Sequence, residues 1–197
     1  MQPVTTITGR MVPLGRADVD TDQIMPKQYL KRIERTGFGE FVFDDWRADP
    51  GFVLNDERYD GANVLVTGPN FGSGSSREHA PWGLQQYGFD AVIAPSFADI
   101  FRNNCAKIGL LTVELSPERC KELVALATDE PAAPIRIDLP EQVVVTELGT
   151  DHFEVDPHTK RLLVQGLDSI ALTLQYDDAI TAFEAPRPSY MPVAASA

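Results

Sequence analysis

Cysteine is scarce in this chain of 197 residues, with Cys105 and Cys120 its only two. They form no C-x-x-C pair, which excludes the common zinc and dithiol motifs. Each falls in a segment that reads as helix, so both are expected to be reduced packing residues rather than ligands, and no metal site is expected on this chain. Basic residues are also few. With 17 Lys and Arg against 29 Asp and Glu, the formal net charge is −12, which argues against nucleic acid or an anionic membrane as partner. No apolar run approaches ~20 residues, and Met1 to Arg10 carries no signal-peptide pattern, so a cytoplasmic protein without a membrane span is expected. The familiar glycine motifs are missing too. Arg77 stands where a dinucleotide fingerprint needs its third glycine, no Gly-Lys-Ser/Thr ending marks a P-loop, and no G-x-S-x-G marks a nucleophile elbow.

What is present points to a single α/β unit. At 43% hydrophobic residues the chain can bury one good core without a second domain, and it contains no internal repeat. Strands are expected at 64–67, 91–94, 110–115, 135–139 and 142–148. Helices are expected after Ser75, Phe97 and Ser116, the last with Pro117 at the favoured first position. A further amphipathic stretch runs from Leu167 to Phe183, with strand also open at its start. His152 and His158 frame Asp156-Pro157, which reads as a surface turn.

The most informative segment is Asn70-Phe71-Gly72-Ser73-Gly74-Ser75-Ser76-Arg77-Glu78-His79. It follows a β-branched run and precedes Ala80, Leu84 and Tyr87 at helical spacing, with Gly88 as the stop. Ser75 and Glu78 fit the S-x-x-E capping box, which would place Ser75 at a helix N-terminus with spare N–H donors and the positive end of the helix dipole. A hydroxyl there ionises more easily than in water. Arg77 in a first helical turn would oppose the dipole at a cost of ~0.3–1 kcal/mol, so an anion is expected beside it. Guanidinium grips carboxylate with a fork that lysine lacks, which makes a carboxylate ligand the natural choice. An ordinary helix start accounts for the same local pattern.

This loop, together with Asp18-Val19-Asp20-Thr21-Asp22-Gln23-Ile24, Tyr29-Leu30-Lys31-Arg32 and Ser96-Phe97-Ala98-Asp99-Ile100-Phe101-Arg102-Asn103-Asn104, resembles the small subunits of isopropylmalate isomerase, the separate swivelling domain of the aconitase superfamily. The resemblance runs from about Gly9 to about Pro188. It implies a single swivelling β/β/α domain over residues 1–184, followed by an extended or disordered tail over 185–197. It also implies a hydro-lyase of leucine biosynthesis that interconverts 2- and 3-isopropylmalate through isopropylmaleate, active only as a heterodimer with a large subunit. That large subunit would carry a [4Fe–4S] cluster held by three cysteines, more than this chain possesses.

By motif position, the resemblance makes Ser75 the base that takes a proton from carbon next to a carboxylate, Arg77 the substrate-carboxylate clamp and Ser76 a supporting hydroxyl. Asp22 would sit at the cleft. The 29–32 loop would reach over the variable side of a dicarboxylate substrate, with Leu30 against the isopropyl group and Arg32 nearby. His79 is expected to bond locally or face the partner.

The segment 36–60 concentrates Phe38, Phe41, Phe43, Trp46, Phe52 and Tyr59, which reads either as a partner surface or as part of the core. Two other functions stay open. One is a sister hydro-lyase subunit acting on homoaconitate, citraconate or methylmalate. The other is a non-catalytic anion-binding interaction module.

Overall fold

The computed structural model describes residues 1–32 and 34–186. Seven strands form one mixed sheet. In chain order they are β1 (Thr6–Pro13), β2 (Val64–Val66), β3 (Ala91–Ala94), β4 (Leu111–Glu114), β5 (Pro134–Asp138), β6 (Val143–Thr146) and β7 (Gly149–His152), and in space they run β4-β3-β2-β1-β5-β6-β7. The first four pair in parallel and the last three add on antiparallel. β1 joins the two halves: its start, Thr6 to Arg10, pairs antiparallel with β5, and its end, Met11 to Pro13, pairs parallel with β2.

The helices are α1 (Thr21–Ile24), α2 (Asp44–Arg47), α3 (His79–Tyr87), α4 (Asp99–Ile108), α5 (Pro117–Asp129), α6 (Pro157–Gln165), α7 (Ser169–Leu174) and α8 (Asp177–Glu184). Alternation along the strands divides the core. Leu65, Val92 and Ala94 face the side packed by α3 and α4, while Val64, Val66, Ala91 and Ile93 face the side packed by α5. β2 and β3 are buried on both faces, which is why they read as continuous apolar runs rather than as alternating ones.

The central strands, α4 and α5 follow the sequence reading within a residue or two, whereas α3 starts at His79 and not directly after Ser75. β1, β7 and α6 do not appear in that reading. The expected strand at 142–148 is instead the first arm of a hairpin: β6 ends at Thr146 and the chain turns into β7 through Gly149, at φ +119°. The expected surface turn at Asp156-Pro157 starts α6, because the Asp156 side chain accepts from Thr159 N at 2.9 Å and proline needs no donor at the first helical position. The 167–183 stretch is helical, split into α7 and α8, with no strand at its start.

The aromatic segment 36–60 belongs to the core. Phe38 and Phe43 are fully buried, Phe52 and Tyr59 nearly so, and Phe41 and Trp46 pack against them. The exposed large apolar side chains lie elsewhere, at Ile100, Leu148, Ile170, Leu174, Tyr176 and Phe183. Most of the expected extended tail, from residue 187 onward, falls outside the described residues.

Candidate functional site

The glycine loop leaves β2 and is fastened to the body before it reaches α3. Phe71 is completely buried, edge-on to Phe97 and Phe101. Gly72 donates to Val19 O at 2.8 Å, and Thr21 N donates to Ser73 O at 2.8 Å, so the loop zips against the segment leading into α1. Gly72 must be glycine on two counts: its φ is +78°, and a Cβ would stand 2.1 Å from Phe101 Cγ.

The capping box expected of Ser75 and Glu78 is not formed. α3 begins at His79, its cap residue Glu78 makes no side-chain cap bond, and Ser75 lies in irregular backbone upstream. The Ser75 backbone is claimed from outside the helix. Thr21 Oγ1 accepts from Ser75 N at 3.1 Å and lies 3.3 Å from Ser75 O, to which it can donate. The true capping box belongs to α1, where Asp20 and Gln23 exchange bonds of 2.8 and 3.0 Å. The helix dipole fades within its first turn, so it is not what acts on Ser75.

Ser75 O is turned toward Thr21, and Ser76 O accepts from Asn104 Nδ2 at 3.1 Å. In a trans peptide the N–H points opposite to the carbonyl, so the Ser76 and Arg77 N–H groups are directed away from these anchors. Among the described residues neither N–H has a partner, and neither does the Ser75 hydroxyl. Ser75 is half-buried, and Ser76 and Arg77 are exposed.

Arg77 lies upstream of α3 and not in its first turn, so it does not oppose the helix dipole as expected, and the carboxylate beside it belongs to the chain itself. Arg77 Nη1 donates to Asp22 Oδ1 at 3.1 Å, and Lys27 Nζ lies 3.2 Å from Asp22 Oδ2, so one carboxylate is shared by two cations. His79 packs against Phe38 and Trp82, and its Nδ1 has no partner among the described residues. Burial, helped by the charge of Arg77, pulls its pKa below the ordinary histidine value and favours the neutral ring.

Ser75, Ser76, Arg77 and Asp22 thus come together. Leu30 and Arg32 do not join them in this structure. Leu30, in a 3₁₀ turn at Lys27–Lys31, is half-buried against the aromatic core; Arg32 lies 3.7 Å from Glu40 and over the Phe41 ring. Thr21, Lys27 and Asn104 were missed as site residues. Thr21 and Asn104 sit inside two of the motifs singled out in the sequence, but nothing local assigns them a task.

The chain's own residues do not fit an iron–sulfur cluster. Cys105 is packed on one face of the sheet and Cys120 on the other, and burial raises both thiols, Cys120 to about 11. No group of three His, Cys, Asp or Glu that could hold a metal occurs among the described residues. Among them, too, no helix is long and apolar enough to cross a membrane.

Comparison with known proteins adds a family to this geometry. The family described as the aconitase C-terminal domain matches residues 1–118, and the family described as the C-terminal domain of the 3-isopropylmalate dehydratase small subunit matches residues 169–192. The 3-isopropylmalate dehydratase small subunit of Rubrobacter xylanophilus is 53% identical over 192 residues, covering 98% of either chain. That of Shouchella clausii is 52% identical over 190 residues, covering 93% of this chain and 96% of its own. The crystal structure of 3-isopropylmalate dehydratase (leuD) from Methanocaldococcus jannaschii superposes with a TM-score of 0.62 at 28% identity, over 91% of this chain and 99% of that one.

Proposed function

The chain belongs to the family of 3-isopropylmalate dehydratase small subunits, hydro-lyase subunits of leucine biosynthesis that work with a large-subunit partner in a heterodimer, and on that footing we propose that Ser75 is its catalytic base and Arg77 its substrate clamp. The observation that carries the reading is the free Ser75 hydroxyl, on an anchored loop beside two unpartnered N–H groups and a guanidinium.

Serine is a weak base, so the reaction needs its oxygen to become anionic at modest cost. The Ser76 and Arg77 N–H groups are donors fixed before charge develops, the arrangement that does most to stabilise it. Ser75 then takes the proton from the carbon next to a substrate carboxylate, the carbon–oxygen bond on the neighbouring carbon breaks with loss of hydroxide, and isopropylmaleate results. Water returns with the opposite regiochemistry, and the proton on Ser75 goes to the other carbon. Arg77 holds a carboxylate throughout, Ser76 supports it with its hydroxyl, and Asp22 orients Arg77 at the cleft. The [4Fe–4S] cluster is assigned to the large subunit.

Residues 1–184 act in this reading as one swivelling domain that closes over the partner's half of the site, with 185–197 as a tail, in the cytoplasm. Leu30 meets the isopropyl tail, where burial is worth ~0.8 kcal/mol per CH₂. Arg32 reaches the substrate only when its pair with Glu40 opens.

Reconstitution with an iron–sulfur-loaded large subunit tests the reading. Ser75→Ala is expected to assemble normally and to lose turnover by about 10²- to 10⁴-fold. Retention of most activity removes Ser75 from its role. Comparing isopropylmalate, homoaconitate and citraconate as substrates of the wild-type complex separates the family function from its sister activities.

A further inference from the structure

Besides Tyr59, whose hydroxyl donates to Ala127 O, three polar side chains are buried among the described residues: Thr21 at 4% exposure, Thr67 at 1% and Asn104 at 6%. A buried polar group costs stability unless its hydrogen bonds are met, so where those bonds go shows what each residue is for. Thr67 donates to Arg16 O and serves the fold. Thr21, from α1, reaches Ser75, and Asn104, from α4, reaches the next residue, Ser76. Thr21 Oγ1 brackets Ser75, 3.1 Å from its N and 3.3 Å from its O, and Asn104 Nδ2 holds Ser76 O at 3.1 Å. Asn104 is itself braced, its Oδ1 accepting from Lys107 Nζ at 3.1 Å.

The loop needs such anchors. Residues 75–77 belong to no helix or strand, and they follow Gly74, at φ +94°, where the backbone has little stiffness of its own. Without the two side chains the peptide planes on either side of Ser76 would be free to rotate, and the two N–H groups would lose their direction.

We propose that Thr21 and Asn104 are positioning residues that lock these peptide planes and so aim the donors that make Ser75 a usable base. They touch neither substrate nor the reacting atoms. The inference rests on Ser75 being the base, and its consequence is specific: losing either side chain slows the chemical step and leaves substrate binding by Arg77 nearly intact.

Thr21→Val removes the hydroxyl at constant size, Thr21→Ser restores it, and Asn104→Asp removes the Nδ2 donor while keeping the acceptor for Lys107. Each is assayed in the reconstituted complex with isopropylmalate, beside Ser75→Ala. T21V and N104D are expected to lower kcat by about 10- to 100-fold, the scale of a misplaced catalytic group, with KM within about threefold of wild type and T21S within about threefold of wild-type kcat. Wild-type kcat in T21V and N104D alongside an inactive S75A overturns the inference and leaves the function standing, whereas an active S75A removes both. A loss confined to KM, or one equally deep in T21S and T21V, also overturns it. If T21V fails to fold, N104D decides by the same criteria.

Discussion

Arg77 and Lys27 share the two oxygens of Asp22 at 3.1 and 3.2 Å, yet all three side chains keep contact with solvent. Exposed pairs of this kind are worth ~0–1 kcal/mol and weaken with salt, so a substrate carboxylate can compete for the guanidinium at small cost. The fork matters more than the charge. Arg77→Lys is expected to raise KM about tenfold and to lower kcat as well, because a point charge holds a carboxylate in no fixed orientation; steady-state kinetics identical to wild type would count against the clamp. The sequence reading expected a ligand anion because it placed Arg77 in a helix's first turn, and Arg77 lies outside α3. That Asp22 stands beside it was not legible, since the two residues are 55 positions apart and no periodicity connects them.

Helix starts show where local rules hold and where they are outvoted. Ser116 followed by Pro117 caps α5 as the sequence indicates, with Ser116 Oγ accepting from Arg119 N at 3.1 Å. Ser116→Ala should cost about 1 kcal/mol in denaturant unfolding with an unchanged m-value. Ser75 and Glu78 satisfy a rule of the same kind and still do not cap α3, which begins only at His79, and the Ser75 N–H goes to Thr21 instead of to Glu78. The loop's glycine is strict. Gly72→Ala meets both a left-handed φ and the Phe101 ring, and a loss of about 2–3 kcal/mol in the same measurement is expected. β1 escaped notice because Gly9, Arg10 and Pro13 interrupt its apolar pattern and its partners, β2 and β5, lie far along the chain. β7 escaped because Gly-Thr-Asp-His is polar and exposed at a sheet edge.

For the molecule as a whole, the sheet separates two cores, and each holds one buried thiol, Cys105 with α3 and α4, Cys120 with α5. Neither thiol should react with an aromatic disulfide reagent in the native protein at pH 8, while both should react after denaturation; fast native labelling would contradict the burial. The raised Cys120 value carries a pH dependence with a definite sign. An unfolded thiol ionises near 9.0, the folded one at about 11, so this contribution to stability is complete below pH 9 and is lost as pH rises toward 11. The strand runs, the capped α5, the shortage of ligands and the Gly-Ser-Arg loop were all determined by sequence alone, because each depends on residue type and near spacing. Tertiary structure decided that the 36–60 aromatics are core, that Asp22 partners Arg77, and that Thr21 and Asn104 hold the serine loop. Those outcomes turn on which distant residues meet once the sheet has formed, and on the high cost of leaving a buried polar group or an aromatic face without a neighbour.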